Sequence, residues 1–103
     1  MESGFAKKWL EEGRQIGKNF SFKRGKLIYW SSVGVQKWNG IYKVYVDEIE
    51  EEKMAAEIYS KEIIAQFDTL EKIEPFLKLN SETKLSELTP LKSQKIFNPE
   101  FNF

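Results

Sequence analysis

The dipeptide Asn39-Gly40, set between two strand-forming runs, constrains this chain more than any other feature. A two-residue hairpin loop needs positive φ at both turn positions, and asparagine followed by glycine meets that need at the lowest cost. So short a loop also fixes register. Trp38 faces Ile41, Gln36 faces Lys43, Gly34 faces Tyr45 and Trp30 faces Ile49 on one side of the ribbon, whereas Val35 faces Val44 and Val33 faces Val46 on the other. The valine side is compact and uncharged, as a core face must be. The reverse side gathers Trp30, Gln36, Trp38, Ile41, Lys43 and Tyr45. A bulge at Gly34 would shift the parity of the preceding strand and carry Trp30 to the core side.

Local patterns extend the ribbon into a domain. Phe5, Trp9, Glu12 and Ile16, with Ala6 and Leu10 beside them, follow helical spacing and predict a first helix over about 3–16, ended near Gly17. Phe20 and Phe22 alternate with polar residues, and Lys23-Arg24-Gly25 supplies the turn of a first hairpin. Residues 57–67 fit a strand and a helix almost equally. Asp68-Thr69-Leu70-Glu71 reads as a capping box, which decides for the strand, because a helix starting at Asp68 requires non-helical chain before it. That second helix carries Leu70, Ile73, Phe76 and Leu77, runs to about Leu79 and is expected to kink at Pro75. Leu85, Leu88 and Leu91 predict one more short helical turn before Pro90. The chain from about residue 92 reads as an extended, aromatic tail packed against its own domain.

These elements define an α+β fold: a single domain over 1–103, with a four-stranded antiparallel sheet of two hairpins, an N-terminal helix and a second helix after the last strand. One helix must cover the valine face. The first helix is expected to cover the tryptophan face, with Phe5, Trp9 and Ile16 against Trp30 and Trp38, since large exposed apolar patches are uncommon on monomers. If both helices lie on the valine side, an aromatic face centred on Lys43 meets solvent or a partner.

Composition narrows the function. The chain is 41% hydrophobic and 31% charged, a globular balance at 103 residues. It lacks cysteine, and its longest uncharged stretch, Leu27 to Gln36, is ten residues, about half of what a membrane span needs. Lys7 and Lys8 fall where a signal peptide would be apolar, so a soluble cytoplasmic protein with no membrane partner is expected. The zero net charge hides an asymmetry: residues 1–46 carry nine Lys or Arg against three Glu, and residues 47–73 carry three Lys against nine Asp or Glu. With no histidine or cysteine there is no thiolate nucleophile, imidazole base or ordinary zinc site. Asp47, Glu48, Glu50, Glu51 and Glu52 lack the spacing and glycine of a calcium loop, and no phosphate-binding or dinucleotide pattern is present. Neither enzyme activity, cofactor nor metal is expected.

Binding remains. The favoured reading is a non-catalytic protein-binding module, such as a small inhibitor, immunity-type or adaptor protein. It would use the aromatic sheet face and acidic turn: Trp30, Gln36, Trp38, Lys43, Tyr45, Asp47, Glu48, Glu50 and Glu51. The alternative is a single-stranded nucleic-acid binder using Lys18, Phe20, Phe22, Lys23, Arg24, Lys26 and Lys37, in which rings stack on bases and cations track phosphates. A sequence pI near 6.3 counts against it.

Overall fold

The computed structural model describes residues 4–92 and 95–100, with side chains from residue 7 onward. The Asn39-Gly40 turn forms as expected, with φ of 53° and 80°. It joins β2 (Leu27–Trp38) to β3 (Ile41–Glu50) in the register derived above. The ladder runs unbroken from Trp38↔Ile41 to Tyr29↔Glu50, so Gly34 marks no bulge and Trp30 stays on the aromatic side. The first hairpin adds β1 (Ile16–Arg24), and β4 (Lys61–Phe67) pairs with the far edge of β3.

The sheet has five strands, in the order β4-β3-β2-β1-β5, not the four read from the sequence. The fifth, β5 (Thr89–Pro90), sets two residues against Gly17 and Ile16. Two residues are too few to show an alternating pattern, and a proline is tolerated here because β5 is an edge.

Helix α1 (Gly4–Glu11) is shorter than expected. Gly13, at φ 80°, takes the left-handed conformation that closes the helix: its N–H bonds to Leu10 O and that of Arg14 to Trp9 O. Ile16, which shares the helical spacing, therefore opens β1 instead. β4 starts at Lys61 rather than near 57, because residues 51–53 form a 3-10 turn and the chain reverses through Glu57 at φ 54°. The expected capping box does not close either. Asp68 accepts a bond from Lys72 Nζ at 2.8 Å, residues 70–72 make a 3-10 turn, and α2 (Ile73–Asn80) follows. Pro75 lies in the first turn of α2, where its missing N–H costs little. Residues 85–87 form the expected short helical turn.

Val33, Val35, Val44 and Val46 are fully buried. Leu10 of α1, Ile73 and Leu77 of α2, and Leu85 and Leu88 all pack on this face. Both helices thus lie on the valine side, and the expectation that α1 covers the tryptophans fails. Trp9 packs at the edge of the valine core and donates its indole N–H to Gln15 O at 2.8 Å. The side chain of Phe5 lies outside the described residues.

Candidate functional site

The aromatic face is divided between a covered centre and an open end. The centre is covered by the end of the chain, not by a helix. Phe97 is buried and stacks on Tyr45 with ring centroids 5.6 Å apart and planes 11° apart. It lies over Gly34: a Cβ there would come within 2.9 Å of the Phe97 ring. Ile96 occupies the matching space above Gly17, and Pro99 is fully buried in a cleft with Trp38, Lys43 and Gln66. The buried carboxamide of Gln15 holds the backbone of this segment. Its Oε1 accepts from Ile96 N at 2.7 Å and Phe97 N at 3.3 Å, and its Nε2 donates to Phe97 O at 3.0 Å and Gln36 Oε1 at 2.8 Å. Of the residues proposed for partner binding, Gln36, Lys43 and Tyr45 are therefore buried beneath the protein's own tail, and Trp38 is half-buried.

Beyond Tyr45 the face carries charge. The Tyr45 hydroxyl lies 3.0 Å from Asp47 Oδ2 and 2.8 Å from Glu62 Oε2, and Asp47 Oδ1 accepts from Ser32 N at 2.7 Å. Burial pushes the Asp47 carboxyl above its ordinary range and the Tyr45 phenol well above its own, and the Glu62 charge adds to both. Among the described residues no three carboxylates are placed to hold a metal ion.

The open end is built on Trp30. This ring is 39% exposed and donates its indole N–H to Glu51 Oε1 at 3.1 Å. The bond ties an aromatic near the start of β2 to the acidic 3-10 turn that follows β3. From that turn the chain presents Met54, Ile58 and Tyr59, all exposed, before Ser60 N rejoins the sheet at Glu48 O. Asp47 and Glu62 lie close enough to Tyr59 to raise its phenol further, after burial. Residues 47–62 contain seven carboxylates and two lysines. One of those lysines, Lys61, is committed to Glu48 at 3.6 Å and to Asn80 O at 2.9 Å. The corner is thus apolar and acidic together, which suits a basic partner with an apolar anchor.

Not every predicted acid belongs to it. Glu48 points to the valine side, where it is buried between Arg24 at 3.1 Å and Lys61, so its role is in the fold. Glu50 is half-buried on that same side and pairs with Lys53 at 3.8 Å. Asp47 is buried, and Trp30 and Glu51 remain as accessible members. Met54, Ile58, Tyr59 and Glu62 were missed as site residues: the pattern over 57–67 reads as one strand, but only Glu62 lies in β4, and Met54, Ile58 and Tyr59 belong to the loop before it.

The basic set of the nucleic-acid reading is dispersed. Lys18, Phe20, Phe22, Arg24 and Lys37 lie on the valine side, Lys23 on the opposite one, and Lys26 in the turn. Lys18 pairs with Glu87 at 3.8 Å, and Arg24 is bound by Glu48 and Glu82 while it covers the stacked rings of Phe22 and Tyr29. Phe20 packs on the core, and Lys37 lies over the Tyr42 ring.

No protein-family model matches the chain, and neither a curated protein nor a solved structure matches it. No helix among the described residues is long and apolar enough to cross a membrane.

Proposed function

We propose that this chain is a non-catalytic protein-binding module, of the inhibitor, immunity or adaptor kind. It docks a basic partner at the corner made by Trp30, Glu51 and the 54–59 loop. The observation that carries this reading is the exposed Trp30 ring, held at its N–H by the Glu51 carboxylate. An aromatic ring fixed in place loses little entropy on burial, and the surrounding carboxylates supply attraction and orientation for cations. The cysteine-free composition suits action in the cytoplasm. Binding of single-stranded nucleic acid is the weaker reading, because its cations are split between faces and several are engaged by carboxylates.

Affinity capture with immobilised protein tests the proposal. Trp30→Ala and Glu51→Gln are each expected to lose a partner that wild type retains, with retention falling as salt rises and with melting curves close to wild type. Capture that survives both substitutions overturns the corner as the docking site. Quenching of tryptophan by a labelled oligonucleotide, reversed by salt, would favour the nucleic-acid reading instead.

A further inference from the structure

We infer that the seat of residues 95–100 is a peptide-binding site, filled in cis by the protein's own end and able to take the same segment from a second copy of the chain. The segment docks as a ligand docks. Its described residues belong to no strand; the last ladder contact among the described residues is β5. Its backbone is read by one buried side chain, Gln15, whose carboxamide accepts from two successive N–H groups and donates to a carbonyl, much as an adjoining strand would.

Three places then read its side chains. Gly17 and Gly34 are direct partners across β1 and β2, so the sheet there is a floor without side chains. Ile96 fills the space over Gly17 and Phe97 that over Gly34, with Tyr45 as the wall against which Phe97 stacks. Pro99 is fully buried and lines a cleft together with Trp38. The site therefore selects an aliphatic-aromatic-x-Pro sequence that bends at 96–97 and turns at 99–100, not the extended tail read from the sequence. Such a sequence is present once in this chain, as Ile96-Phe97-Asn98-Pro99, and a second copy offers it in identical form.

Exchange leaves the valine-face core undisturbed. The valine-face core and the four long strands are complete on the other side of the sheet. Contacts in cis and in trans are the same, so the intramolecular form is favoured only by its effective concentration, about millimolar for a short tether. Mutual exchange between two copies closes as a two-fold dimer.

The test uses the full chain carrying Phe97→Ala, which weakens the cis occupant, and a labelled synthetic peptide of residues 92–103. Fluorescence anisotropy is expected to show this peptide binding the Phe97→Ala chain at least about tenfold more tightly than wild type, whose own tail competes. Adding Gly34→Val to the Phe97→Ala chain is expected to abolish the gain, whereas adding Trp30→Ala leaves it intact, which separates this site from the docking corner. Equal binding to wild type and Phe97→Ala, or no effect of Gly34→Val, overturns the inference. Should Phe97→Ala fail to melt cooperatively, the milder Ile96→Ala chain enters the same titration and is judged by the same outcomes.

Discussion

Tyr45 has one hydroxyl hydrogen and two carboxylates within reach, Asp47 at 3.0 Å and Glu62 at 2.8 Å. One of the two contacts requires a second proton. Asp47 is the better holder, since burial raises its carboxyl and the neighbouring Glu62 and Glu48 charges raise it further, against the Ser32 N–H and the Tyr45 hydroxyl that favour its ionised form. When Asp47 takes up a proton it can donate to the phenol oxygen while the phenol donates to Glu62. Of the other charged side chains, Glu48 projects to the opposite face. A carboxyl whose folded pKa is raised stabilises the fold fully below its unfolded value, about 3.9, and that contribution is lost as pH climbs through the folded value. Asp68 and Glu87 have the opposite sign: Lys72 holds the first low and Thr83 the second, so their contributions disappear in acid. Only a difference isolates Asp47. Asp47→Asn keeps an acceptor for Ser32 and a donor for Tyr45 but cannot ionise. Its stability by urea unfolding is expected to match wild type near about pH 4 and to exceed it increasingly toward about pH 8. Parallel curves over that range would show that Asp47 carries no extra proton in the folded protein.

Among the elements, the β2–β3 hairpin was fully legible and the others only in part, for a reason visible in the residues. Asn39-Gly40 specifies a turn by local stereochemistry alone, and nothing lies within 4 Å of a Cβ built at Gly40, so no tertiary contact competes with that preference. Gly40→Ala should therefore cost backbone strain alone, roughly 1–2 kcal/mol, seen as a lower urea midpoint with an unchanged slope. A neutral result would mean that the turn relaxes to another type. Helix α1 was read too long because Ile16 falls seven residues after Trp9 and satisfies helical and strand patterns alike; Gly13, closing the helix earlier, decides between them. The capping box misplaced the start of the second helix, which opens at Ile73 rather than Asp68 after a 3-10 turn over 70–72, because the Asp68 carboxylate is taken by Lys72. β5 left no trace in the pattern, since its two residues are placed by pairing with a strand more than seventy residues away. Trp30 was correctly placed on the aromatic side, whereas the identity of its cover and of its loop neighbours depended on contacts that no periodicity encodes.

Across the whole molecule, the sheet is closed on its two sides by different parts of the chain. The valine side receives the helices and the leucine turn, and the aromatic side receives the last described residues. The charge asymmetry along the sequence becomes cross-linking in space, because Arg24 and Lys18 of β1 meet Glu48, Glu82 and Glu87 from later in the chain. Gln15 joins these parts where α1, the residue after β5 and the 96–97 segment meet. Its backbone oxygen accepts from Trp9 Nε1 and Leu91 N, and its carboxamide binds Gln36, Ile96 and Phe97. Nothing in the sequence around residue 15 announces such a role, for a single glutamine between a helix and a strand is commonplace. Gln15→Leu keeps the side chain's approximate size and the backbone bonds but removes all four carboxamide contacts. It leaves the Ile96 and Phe97 N–H groups without their acceptor, at a cost of about 1–3 kcal/mol for each polar group that stays buried. The tail can lower that cost by lifting into water, but it then gives up the burial of Phe97, itself worth about 2 kcal/mol. Either route lowers the melting temperature by on the order of 10 °C in a domain of this size, while Gly40→Ala, acting at one turn, costs less. A Gln15→Leu protein that melts with wild type would mean that the tail is held by its ring and proline contacts alone, with the carboxamide a bystander.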